Sequence, residues 1–167
     1  EQMTRIAPDG YTIMFASNSA MVAAVALRKQ PTYDPLKDFT PISLVGRATV
    51  FFYVHPSVPA TTLKEFVAYA RANPGKLNYG TGNPLSILYN AQLINATRID
   101  MVHVPYKGEG PLNPDILTGR VQSAFLSTGT AVSYAKDGRL RALAVLLKER
   151  SPLLPEVPTI DEAGVPE

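Results

Sequence analysis

The sequence predicts an α/β chain, a mostly parallel sheet with helices on both faces, and two patterns carry that prediction. Short continuous apolar runs such as Tyr11–Ala16 and Leu140–Leu147 suit strands covered on both sides. They alternate with helical stretches that open on capping residues and close on glycine or proline, the spacing expected of strand-turn-helix units.

Each element has its local reason. Pro8-Asp9-Gly10 is turn chemistry before the apolar run Tyr11–Ala16, read as a strand. Ser17-Asn18-Ser19 offers N-cap side chains to an alanine-rich helix over Ala20–Leu27, which Pro31 and Asp34-Pro35 end. Ile42–Val54 is rich in β-branched and aromatic residues and reads as one long strand or two in series. Thr62 and Glu65 form a capping box, and Leu63, Phe66, Val67 and Ala70 repeat at helical spacing until Asn73-Pro74-Gly75. Leu77–Tyr79 is a short strand. Asn83 followed by Pro84 starts a helix that runs to about Thr97.

Met101–Pro105 is strand-like and leads into the loop Tyr106–Gly110 and a helix ending at Gly119. Pro111 and Pro114 both fall near that helix start, so one of them takes an imperfect position. Val121–Leu126 is a strand, Thr130–Lys136 a short helix closed by Gly138, and Leu140–Leu147 a further strand. Thr159 and Glu162 form a second capping box, opening a short helix that Gly164 stops.

Composition narrows the function classes. The net charge of +2 is scattered, and no Lys/Arg run exceeds Arg28-Lys29, so nucleic-acid binding has little electrostatic support. Zero cysteines exclude disulfides, thiolate metal sites and cysteine nucleophiles. No apolar stretch approaches the length of a membrane span, and Glu1–Ile6 carries no export-signal pattern. The 15 prolines, nearly double the usual share of about 5%, punctuate element boundaries instead of forming a PxxP tract.

Three strand-to-helix loops are candidates for binding: Ser17, Asn18 and Ser19; Thr81, Gly82, Asn83 and Ser86; and Ser127, Thr128 and Thr130. A helix start presents unpaired N–H groups and about half a positive charge, so it can hold an anion without a basic side chain. Ordinary capping is the alternative for any one loop. A fourth loop, with Tyr106, Lys107 and Gly108, offers a ring to cover a ligand and a glycine for close approach. Catalysis fares poorly. His55 and His103 lack partners at metal-ligand spacing, there is no G-x-S-x-G elbow or phosphate-binding lysine loop, and Gly80-x-Gly82 lacks the third glycine of a dinucleotide fingerprint. No catalytic residue, metal or cofactor is expected.

Six phrases in register carry a resemblance: Pro8–Thr12, Tyr33–Phe39, Asn73–Leu77, Val102–Gly108, Leu140–Val145 and Arg150–Thr159. Together they resemble the Bug receptors, the extracytoplasmic solute-binding proteins of tripartite tricarboxylate transporters. The resemblance implies a type II periplasmic-binding-protein fold, two α/β lobes closing on a di- or tricarboxylate, amino acid or aromatic acid. Family members are longer, so the chain is expected to supply one near-complete lobe over 45–140, with 1–44 and 141–167 as pieces of the other. The family's histidine after the glycine/serine loop is absent, with Tyr89 near its place. Its Asp-Asn-Leu-Pro-Ser stretch becomes Leu126–Thr130, and its Thr-Ser becomes Leu146-Leu147. These losses of polarity imply a ligand with an apolar portion.

The expected function is a periplasmic receptor, delivering a small organic acid to membrane transporter subunits. Strand crossings near Ala48–Val54 and Leu140–Leu147 would form its hinge. An isolated 167-residue piece is expected to bind weakly and to mask its inner surface by self-association. Two alternatives stay open, an effector-binding module of a LysR-like transcription regulator and a metabolic enzyme on the same scaffold.

Overall fold

The structure, a computed structural model, describes residues 2–46 and 48–164, apart from the side chain of Thr130. The chain divides into two compact units, Glu1–Gly46 and Arg47–Glu167.

The first unit holds little regular structure. A 3₁₀ turn spans Met3–Arg5, and a wide helical turn over Ser19–Ala23 runs into the short helix α1, Ala24–Ala26. Tyr33 donates its hydroxyl to the Ala20 carbonyl and meets Phe39 edge-on, with ring centroids 6.0 Å apart. Tyr11–Ala16 is extended but forms no strand, and Tyr11, Ile13 and Phe15 are exposed. An apolar run becomes a strand only when a neighbour completes its ladder, and no described residue does so here. Asn18 makes no side-chain cap. Its backbone is already helical, and the Ser17 carbonyl takes the N–H groups of Ala20 and Met21.

The second unit is built on one five-stranded sheet in the order β3-β2-β4-β1-β5. The strands are β1 (Val50–Val54), β2 (Asn78–Thr81), β3 (Val102–Pro105), β4 (Ser123–Ser127) and β5 (Arg141–Val145). β2 runs parallel to β3 and β4, and β1 is antiparallel to both β4 and β5. Four strands therefore share one direction and β1 alone opposes them. The predicted strand over Ile42–Val54 shrinks to β1, because only Val50–Val54 finds partners on both sides.

Two apolar layers sandwich the sheet. Phe52 and Val54 face a cluster with Leu63, Phe66 and Ala70 of α2 (Leu63–Ala72) and Leu93 of α3 (Pro84–Thr97). Phe51 and Tyr53 face the opposite cluster, with Leu112 and Ile116 of α4 (Glu109–Leu117) and Ala131 of α5 (Thr128–Lys136). Both faces of β1 are covered, which is why its sequence is an unbroken apolar run. β5 keeps step through a bulge: Phe52 pairs with Ala144 and Tyr53 with Ala142, so Leu143 is the extra residue. Leu143 and Ala144 then both face the α2/α3 layer. Val145 forms a parallel bridge to Thr159, so the proline-rich segment covers the outer edge of β5.

The local signals act as physics requires, with two differences, at Glu65 and after Thr159. Thr62 Oγ1 accepts the Glu65 N–H at 3.1 Å, but the Glu65 carboxylate reaches one residue further back, to the N–H and hydroxyl of Thr61 at 2.7 and 2.8 Å. Pro114 is the proline inside α4. Thr159 and Glu162 form the reciprocal box, yet only a turn follows before Gly164 at φ +82°.

Candidate functional site

Three adjacent strands, β3, β2 and β4, deliver their C-terminal ends to the same edge of the sheet, and each continues into a helix start. Ligands of such sheets bind beyond these strand ends. Thr81 pairs with Pro105, and the Tyr106 N–H extends the ladder to the Thr81 carbonyl at 2.8 Å. The two loops then touch through main chain. A Cβ on Gly82 would lie 2.7 Å from the Gly108 carbonyl carbon and 2.8 Å from the Glu109 nitrogen. Only glycine permits that approach. Gly108 itself sits at φ +124°, where side chains are strained.

The three helix starts are not equivalent. At α3, Asn83 Oδ1 accepts the Ser86 N–H at 2.9 Å, and Ser86 Oγ accepts the Asn83 N–H at 3.2 Å, with Pro84 in the first turn. That start is satisfied internally. Neither α4 nor α5 receives a side-chain cap from the residue before it, Gly108 or Ser127. Ser127 is diverted instead to Glu109. Its hydroxyl donates to Glu109 Oε2 at 2.7 Å, and its N–H donates to Oε1 at 3.2 Å and Oε2 at 3.4 Å. The Asn83 amide reaches the same Oε1 at 3.5 Å. One carboxylate thus gathers donors from the starts of α3 and α5 while sitting in the first turn of α4. All three helix ends favour negative charge there.

The remaining predicted residues are engaged elsewhere or outside this cluster. Thr81, buried, bonds through its hydroxyl to His103 Nε2 at 2.7 Å, and His103 stacks on Tyr79 with ring centroids 5.0 Å apart. Tyr106 donates its hydroxyl to Asp115 at 2.7 Å. Burial, with that bond second, pushes the phenol up to about 12. Thr128 is the first residue of α5, two positions before the predicted start at Thr130. Thr130 is its third residue, and its side chain lies outside those described. Ser17, Asn18 and Ser19 belong to the Glu1–Gly46 unit. The helical turn they open is only five residues of wide helix running into three of α1.

Glu109 is the residue that sequence reasoning missed. The sequence placed it in the loop Tyr106–Gly110, whereas it is the first residue of α4, and nothing in the spacing pointed to Ser127. Beneath this region the Tyr53 hydroxyl is buried without a hydrogen-bond partner among the described residues. Burial first, and the Glu109 charge second, raise its pKa. No group of three or more His, Cys, Asp or Glu side chains that could hold a metal ion occurs among the described residues. No helix in that set is long and apolar enough to cross a membrane.

A sheet covered on both faces by helices, with uncharged donors gathered at its strand ends, is an α/β architecture whose ligands bind beyond those ends. The family model described as "Tripartite tricarboxylate transporter family receptor" matches residues 1–167, and the chain belongs to that family. It is 35% identical to Protein BugT of Bordetella pertussis over 167 residues, covering 96% of this chain and 50% of that protein. The structure of R. palustris Rpa4515 with adipate matches 99% of this chain and 56% of its own, at TM-score 0.90 and 30% identity. MatC from Rhodopseudomonas palustris with bound malate matches 99% of this chain and 57% of its own, at TM-score 0.88 and 30% identity. The chain spans about half the length of the curated relatives it matches most fully.

Proposed function

We propose that the protein carrying this chain is the solute-binding receptor of a tripartite tricarboxylate transporter. It captures a small organic acid in the periplasm and presents it to membrane subunits, without catalysis. The observation that carries this reading is the family match over residues 1–167, together with relatives of the same fold solved with adipate and with malate.

In this reading residues 45–140, with β5 completing their sheet, form one lobe. Ser127, Thr128, Thr130, Gly82 and Gly108, at the strand ends of the sheet, are the residues proposed to face the ligand. Relatives solved with adipate and with malate support an acid of four to six carbons. Nothing in the chain favours the regulator alternative. Native mass spectrometry of the full-length receptor after mild purification tests the proposal. A retained organic acid, with a melting temperature raised by re-adding that acid, is expected. Flat melting curves across a broad panel of mono- and dicarboxylates would refute it.

A further inference from the structure

Glu109 enters the site as an anion with no cation of its own. Its hydrogen-bond partners are all neutral, and among the described residues no Lys or Arg lies within ion-pair reach of it. Ser127 gives up the usual N-cap role to serve it, so the first-turn N–H groups of α5 are left beside a carboxylate already in place. A second carboxylate brought to the α5 start would meet that charge at close range, in surroundings less polarisable than water. An ammonium or other donor group brought there would meet an uncompensated acceptor.

We propose that Glu109 determines ligand specificity: it bars a ligand carboxylate from the α5 start and selects acids that carry an ammonium or hydrogen-bond donor at that end. This rests on the receptor reading above. The acid end of the ligand is then held away from Glu109. Glu109 also holds three loops together, and a purely structural clasp is the competing account. A clasp would change stability without changing which ligand is preferred.

Matched probe pairs separate the two accounts: adipate against 6-aminohexanoate, and succinate against 4-aminobutyrate. Each pair shares one carboxylate and differs in the group at the far end. Dissociation constants would be measured by calorimetry on the full-length receptor and on its Glu109→Gln and Glu109→Ala variants, with circular dichroism melts confirming that each is folded. The native receptor should prefer the amino acid of each pair. Both variants should shift the ratio of dissociation constants toward the diacid by about tenfold or more, the effect of removing one nearby charge. Binding with an unchanged ratio in both variants would overturn the role of Glu109 and leave the receptor reading intact. A native preference for the diacids would overturn it in the same way. Binding of no acid by any of the three proteins would remove the receptor reading and this proposal with it.

Discussion

Replacing Gly82 by alanine isolates the contact on which the strand-end cluster is built. The added methyl would stand 2.7, 2.8 and 2.9 Å from the Gly108 carbonyl carbon, the Glu109 nitrogen and the Gly108 oxygen. Comfortable carbon contacts begin near ~3.5 Å, so the two loops must part by roughly 0.7 Å. All three opposing atoms are main chain, with no side-chain torsion to absorb the shift. Overpacking costs about 1–3 kcal/mol, and a rigid neighbour places this site in the upper half, about 2–3 kcal/mol. That corresponds to a melting temperature lower by roughly 8–12 °C for a domain of this size. Gly129→Ala is the natural control, since a Cβ there has open space within the helix α5. It should stabilise by a few tenths to about 1 kcal/mol. Urea and thermal unfolding followed by circular dichroism read both. If Gly82→Ala melts within about 2 °C of the parent, the loops are not packed through main chain and the account of the site is wrong.

Two further outcomes follow from the core and the caps. Phe52→Ala removes a fully buried ring packed 5.0 Å from Phe66 and 4.9 Å from Phe125, centroid to centroid, and should cost about 3–5 kcal/mol by denaturant titration. A loss under about 1 kcal/mol would mean that the α2/α3 layer is not packed as described. The carboxyls of Glu65 and Glu162 are both held below the ordinary carboxylate range, by the Thr61 N–H and the Thr159 N–H respectively, with the Thr61 hydroxyl and Arg150 adding to the effect. A depressed carboxylate stabilises the fold above its unfolded pKa and loses that contribution as pH falls through the folded value. Melting temperature should therefore hold steady above about pH 5.5 and decline below about pH 4.5, and Glu65→Gln should shallow the decline. An identical acid profile in that variant would rule out the Thr61 bonds as its source.

Sequence reading succeeded where a few neighbouring residues decide the outcome. Asn83, Pro84 and Ser86 fix the start of α3 within four positions, and Thr159 with Glu162 needs nothing beyond its own turn. It failed where distant partners decide. Tyr11–Ala16 has the composition of a strand but no described neighbour to pair with. The doubled step at Leu143 exists because Phe52 and Tyr53, far away along the chain, must both keep their faces. Glu109 is the sharpest case, since its carboxylate meets Ser127 across 18 positions and Asn83 across 26. Spacing rules on single helices cannot see a meeting that only the strand order creates. Loop composition identified a set of donors, and the sheet decided which of them share a point.

The lone reversed strand has a consequence for how this unit could be handled as a part. Because β1 opposes its neighbours, the chain arrives at Val50 and departs at Leu146 side by side, with the Leu146 N–H bonded to the Val50 carbonyl at 2.9 Å. Such paired ends are the geometry of an inserted cassette, a segment that can be spliced into or out of a host with a short joint. Recombining residues 50–146 between relatives would transplant Glu109 together with its three loops, carrying the strand-end cluster across in a single exchange.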